Sequence, residues 1–87
     1  MSEKILNVYV AVWCPHCRAA LEFLKTRGIK CRVHDIEKVT PEVERLVDEA
    51  NGGEWRVPTL ECGGKWVPGR AFDKRSFEES LKELGII

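Results

Sequence analysis

Cys14 and Cys17 stand two residues apart in the segment AVWCPHC. Two sulfurs at that spacing either ligate a metal ion or form and break a disulfide. The surroundings favour the second. The apolar run before them reads as a strand and the residues after them as a helix, so Cys14 falls at the helix N-terminus. Unpaired backbone N–H groups and the positive end of the helix dipole favour a thiolate there, moving a cysteine from its usual value of roughly 8.5 toward or below neutrality. Cys14, just outside the first turn and expected to be the more exposed of the two, is therefore the expected nucleophile, and Cys17, one turn further in, the resolving thiol. Pro15 has no N–H to lose in the first helical turn and fixes the backbone between the sulfurs. His16, if protonated or placed to donate, would stabilise the Cys14 thiolate further and make the disulfide more oxidising. As a solvent-exposed ring it would do neither. Trp13, directly before the nucleophile, completes the set of residues expected to tune the site.

The rival reading is zinc, because Cys31 and His34 repeat the two-residue spacing and complete a Cys3His set. Strand geometry opposes it, since residues three apart in a continuous strand point to opposite faces. The Gly-rich knuckles of zinc ribbons are also missing. Cys31 and Cys62 are read instead as small buried or edge-facing hydrophobes, and no metal site is expected.

The elements that must position the pair follow from periodicity. Ile5 to Val12 is rich in Val and Ile, with apolar residues on both parities, which predicts a central strand covered on both faces. From Pro15 onward Cys17, Ala20, Leu21 and Leu24 fall at helical spacing, and Gly28 is a C-terminal stop. A second strand is expected over Lys30 to Ile36. Thr40 followed by Pro41 marks the N-cap and first residue of a second helix, with Val43, Leu46, Val47 and Ala50 inward and Asn51, Gly52 and Gly53 ending it. Thr59 to Cys62 and Lys65 to Val67 form a hairpin across Gly63 and Gly64. Asp73 caps a last helix that buries Phe77, Leu81 and Leu84 and stops at Gly85. The order βαβαββα combines a right-handed parallel crossover with an antiparallel pair. This is an α/β fold, a mixed four-stranded sheet with helices on both faces.

Composition bounds the rest. The chain has 87 residues, 44% of them hydrophobic, which fits one packed domain spanning 1–87. Fourteen basic and fourteen acidic residues cancel and are interspersed, which disfavours nucleic-acid binding through phosphates. Met1 to Lys4 lead into the first strand without the apolar region and cleavage site of a secretory signal, and no run is long enough to span a membrane. The expected compartment is the reducing cytoplasm, where paired cysteines are more often catalytic or metal-binding than structural.

The chain resembles the dithiol glutaredoxins through WCPHC, through Val57-Pro58 before the third strand, and through a glycine-containing segment with an acidic residue before the last helix. The resemblance spans nearly the whole chain. It implies the thioredoxin-like fold and a thiol-disulfide oxidoreductase acting on protein disulfides or glutathione mixed disulfides, with glutathione as co-substrate and no tightly bound cofactor. It also implies that Pro58 is cis and lies against the active-site cysteines, and that the Val57 backbone pairs with a bound thiol substrate. The chain departs from the family where Arg56 replaces the usual threonine. That arginine is open to two readings, a bidentate partner for a glutathione carboxylate or a surface charge. Pro68 and Gly69 stand for the family's Gly-Gly, and Arg70 and Asp73 follow in the same segment. Asp73 falls one residue late for binding the γ-glutamyl ammonium, and helix capping explains it equally well. Trp66, Gly69, Arg70 and Asp73 are also similar to a segment of glutaredoxin-like redoxins that donate electrons to ribonucleotide reductase and are recharged by thioredoxin reductase, and Trp13 before Cys14 resembles the thioredoxins. The expected partners are thus disulfide-containing proteins, with glutathione or thioredoxin reductase as electron source and a monomer sufficient for the chemistry. An iron-sulfur or zinc carrier is the alternative of another class, although proline after the first cysteine goes with redox activity.

Overall fold

The computed structural model describes residues 5–87, so Met1 to Lys4, the expected lead-in to the first strand, lie outside the described residues. The expected element order is observed: β1 (Leu6–Val10), α1 (Pro15–Thr26), β2 (Cys31–Asp35), α2 (Pro41–Ala50), β3 (Thr59–Cys62), β4 (Lys65–Val67) and α3 (Lys74–Glu83). The sheet runs β2-β1-β3-β4, with β1 parallel to β2 and antiparallel to β3, and β3 antiparallel to β4. Among the described residues no helix is long and apolar enough to cross a membrane.

β1 is central, as its two-sided apolar pattern predicts, but it is shorter than the run Ile5 to Val12. Pairing with β2 ends at Val10 opposite Asp35. The Ala11 carbonyl then accepts from the Cys14 N–H at 3.1 Å, which turns the chain toward the helix and leaves Val12 at 66% exposure. Leu6, Val8 and Val10 share one side of the sheet with Leu60 and Val67, which pair across the ladder, and the core gathers these with Ala20, Leu24, Phe77 and Leu81. Gly63 and Gly64 take the positive φ values, 59° and 88°, that let β3 turn straight into β4.

The opposite side of the sheet explains why α2 differs from its pattern. Asn7 donates from Nδ2 to Glu61 Oε1 at 2.8 Å, and its Oδ1 lies 2.9 Å from His34 Nε2. Tyr9 stacks between His34 and Trp66, with ring centroids 4.9 and 5.7 Å away. With much of that face occupied by polar and aromatic side chains, α2 buries Val47 alone. Val43 and Ala50 are half-buried, and Leu46, expected inward, is exposed. Likewise Leu21 of α1 is only partly buried.

Asn51, read in the sequence simply as a helix end, is a structural hub. Its Nδ2 donates to the Val47 carbonyl at 2.9 Å and to Thr59 Oγ1 at 3.0 Å, while its Oδ1 accepts from the Gly69 N–H at 2.7 Å. One side chain thus joins the end of α2, the start of β3 and the loop before α3. Asn51→Ala leaves the Gly69 N–H without its acceptor and takes one of two bonds from the Thr59 hydroxyl, which keeps its bond to the Arg56 carbonyl, and is expected to cost about 2 kcal/mol. In urea denaturation the midpoint should fall by roughly 1–2 M at the slope usual for a domain of this size, and an unchanged midpoint would reject the hub.

Candidate active site

Cys14 is the N-cap of α1, and its own sulfur does the capping: Sγ accepts the Cys17 N–H at 3.3 Å. Pro15 occupies the first helical turn, as expected. The cap sulfur therefore sits at the positive end of a twelve-residue helix, an environment favourable to negative charge. Turning back over the helix end also covers it. Cys14, at 5% exposure, is the more exposed of the two, as expected, but both are buried, Cys17 at 1%. Neither is in a disulfide.

The two sulfurs are not equivalent. Burial, and after it the hydrogen bond and charge of Cys14, push the Cys17 thiol up to about 12, against a partial offset from a backbone hydrogen bond to Ala11. Cys17 is thus held protonated over the whole physiological range.

The surrounding residues come from three further segments. Trp13 is 59% exposed, and its indole Nε1–H donates to Glu37 Oε1 at 3.0 Å. His16 is exposed, and its Nδ1 accepts the Phe72 N–H at 3.0 Å. Accepting at Nδ1 requires that nitrogen to be unprotonated, so this bond competes with the imidazolium role anticipated for the ring. The Val57-Pro58 peptide is cis, as the resemblance implies; Pro58 is buried, Val57 half-buried and Arg56 exposed.

Gly69 is buried directly against Arg56. A Cβ on Gly69 would lie 2.7 Å from the Arg56 Cβ and 2.8 Å from its carbonyl carbon, so only glycine permits this approach. The loop before α3 is thereby locked to the segment before Pro58. Arg70 and Asp73 line a narrow cavity of 20 Å³ together with Pro58, Phe72 and Phe77. Asp73 is the N-cap of α3, accepting from the Arg75 N–H at 3.1 Å and the Ser76 hydroxyl at 3.3 Å. Both of its oxygens are engaged in capping.

Glu37, Asn51 and Phe72 were not singled out in the sequence. Asn51 carried only a helix-end signal, and the contacts of Glu37 and Phe72 have no local signal at all. The second sulfur-imidazole pair does not join the first: Cys31 pairs across the ladder with Leu6 and His34 with Tyr9, on opposite sides of the sheet. Among the described residues no three His, Cys, Asp or Glu side chains converge as a metal would require.

The model of the glutaredoxin family matches residues 6–67. The chain belongs to the glutaredoxin family. Among solved structures it is similar to the glutaredoxin grx-1 from Archaeoglobus fulgidus, at 34% identity and a TM-score of 0.61 over 91% of this chain and 83% of that one. It is also similar to the thioredoxin-like protein BC3987, at 26% identity and a TM-score of 0.65 over 91% and 97% of the two chains. The solution structure of a glutaredoxin from Brucella melitensis, 24% identical with a TM-score of 0.58 over 95% and 92%, shares the fold. No curated protein shows significant sequence similarity to the chain. The architecture is the thioredoxin-like fold, and the function is thiol-disulfide redox chemistry.

The raised Cys17 value makes stability depend on pH in this glutaredoxin-family domain. Above pH 9 the unfolded chain releases the Cys17 proton, while the folded state holds it until about 12. The folded state then binds more protons, so unfolding free energy falls as pH rises, by up to about 1.4 kcal/mol per unit across that window. Under reducing conditions, urea titrations at several alkaline values should show wild type losing stability faster than Cys17→Ala. Parallel losses would mean that Cys17 is not held protonated by the fold.

Proposed function

We propose that the protein reduces protein disulfides and glutathione mixed disulfides through Cys14 as nucleophile and Cys17 as resolving thiol. The observation that carries this reading is the inequality of the two sulfurs, one capping the helix and the other, a turn further in, held as a thiol. In the first step the Cys14 thiolate attacks one sulfur of the substrate disulfide. A Cys14-substrate disulfide forms, the substrate S–S bond breaks, and the departing thiolate takes a proton from solvent.

The second step uses the causes of the Cys17 shift. Once Cys14 is bonded to substrate, it no longer carries charge or holds a hydrogen bond from the Cys17 thiol, so two of the influences that raise Cys17 are withdrawn and burial remains. Cys17 then gives up its proton more readily and attacks Cys14. The intramolecular disulfide forms, the Cys14-substrate bond breaks, and the second substrate thiolate leaves and takes up a proton from solvent, which receives the one Cys17 releases. Two electrons have passed from the dithiol to the substrate, and an external thiol or reductase returns them.

Around the sulfurs, we assign to Val57 the pairing of its backbone with the substrate chain and to Pro58 the wall against which the disulfide lies. Arg56 and Arg70, both exposed and brought together by the Gly69 contact, form the anionic recognition element. A glutathione carboxylate is the proposed partner, bound by the planar guanidinium fork. The capping bonds of Asp73 favour a structural role for that carboxylate over contact with an ammonium group. Electron supply from thioredoxin reductase is the second reading, favoured by Trp13, which remains largely exposed beside Cys14 while Glu37 fixes its indole.

Two measurements test these roles. Cys14→Ser should lower exchange with any disulfide by about a hundredfold or more, because a serine hydroxyl is a far weaker nucleophile than a thiolate. Cys17→Ser should retain deglutathionylation and lose reduction of protein disulfides by the dithiol route; an active Cys14→Ser variant would reverse the assignment. The electron source is separated by turnover with glutathione and glutathione reductase against turnover with thioredoxin reductase. Activity in the second system alone rejects glutathione as co-substrate.

A further inference from the structure

Among the residues of the cysteine motif, His16 reaches furthest from it, with its Nδ1 bonded to a backbone N–H 56 positions away. The donor belongs to Phe72, directly before the N-cap of α3. The Phe72 ring packs on Phe23 of α1 and Phe77 of α3, with centroids 6.1 and 5.3 Å apart. At its other end the same loop is fixed by the Gly69 N–H on Asn51 and by the close approach of Gly69 to Arg56. Arg70 and Ala71, both exposed, lie between these two anchors. The loop is therefore clamped on one side to the segment before Pro58 and on the other, through His16, to the start of the redox helix.

We propose that His16 is a positioning residue: as a neutral acceptor it sets the distance between the Cys14 helix and the loop that carries Arg70. This rests on the reading that Arg70 helps to bind the substrate. A neutral imidazole has one acceptor nitrogen, and here that nitrogen is taken by Phe72, which leaves Nε2–H directed elsewhere. Without the acceptor the Phe72 N–H turns to water and the redox-helix anchor of the loop weakens. The loop is then held to that helix only by the packing of Phe72 on Phe23, so the position of Arg70 relative to Cys14 loosens, while the sulfur and its cap are untouched. Substrate binding weakens and the rate of exchange in the bound complex is kept.

The competing role, a charge that tunes Cys14, is distinguishable by substitution. His16→Asn places Oδ1 where Nδ1 lies and keeps the acceptor, but cannot carry charge. His16→Phe keeps a ring and removes the acceptor. A charge role makes the two variants alike, whereas a positioning role separates them. The measurements are amide hydrogen exchange of Phe72 by NMR, and single-turnover reaction of the reduced protein with excess glutathionylated peptide, which needs no electron donor.

His16→Phe should speed Phe72 exchange and raise the half-saturating peptide concentration about fivefold, the effect of one net hydrogen bond, with the limiting rate kept. His16→Asn should match wild type in both. Equal behaviour of the two variants, or unchanged Phe72 exchange in His16→Phe, overturns the proposal. Arg70→Ala in the same assay separates the failures. If it raises half-saturation and His16→Phe does not, the positioning role falls and the binding loop stands. If neither raises it, the binding loop falls and the positioning role with it.

Discussion

The hydrogen bond from the Cys17 N–H to the Cys14 sulfur is the constraint around which the site is built. A helix start needs an acceptor outside its first turn, and here the acceptor is a cysteine sulfur of the paired motif. The residue proposed as nucleophile is also the N-cap, so its sulfur cannot be replaced without disturbing the helix end. The geometry depends in turn on β1. As the central strand it is held on both sides, and the 3.1 Å bond from the Cys14 N–H to the Ala11 carbonyl defines where the strand ends and the helix begins.

That arrangement accounts for the inequality of two sulfurs separated by a single helical turn. Cys17 faces the core with Ala20 and Leu24, so its charged form is penalised by burial. Cys14 is also buried in the hydrophobic cluster, but its sulfur accepts a backbone N–H at the helix start. The rest of the site is built from segments that carry little regular structure. Such segments owe their shape to specific ties: Asn51 to Gly69, Gly69 against Arg56, Phe72 to His16, and Glu37 to Trp13. Loops with few ladder hydrogen bonds need such ties to hold functional groups at fixed distances.

Much of the frame was legible in the residues. The Gly63-Gly64 turn, the Thr40-Pro41 and Asp73 caps and the helical stripes of α1 and α3 stand where their patterns put them, because each arises from local backbone chemistry. The misreadings share one origin. Val12 and Ile5 extend an apolar run past the point where a paired neighbour is present, and Leu46 continues a stripe toward a sheet face already occupied by Asn7, Tyr9, His34 and Trp66. Apolarity alone does not say where the partner surface ends.

By itself the sequence determined that a cysteine pair begins a helix after a central strand, and that four strands and three helices follow in an order with few alternative topologies. Periodicity, caps and turn glycines act within a few residues, so they can be read without the fold. Tertiary structure alone decided that Cys14 is covered, that His16 serves a backbone N–H on a distant loop, and that Asn51 is a hub. These depend on backbone groups and packing gaps, which every residue type shares and which leave no mark in the order of side chains until the chain has folded.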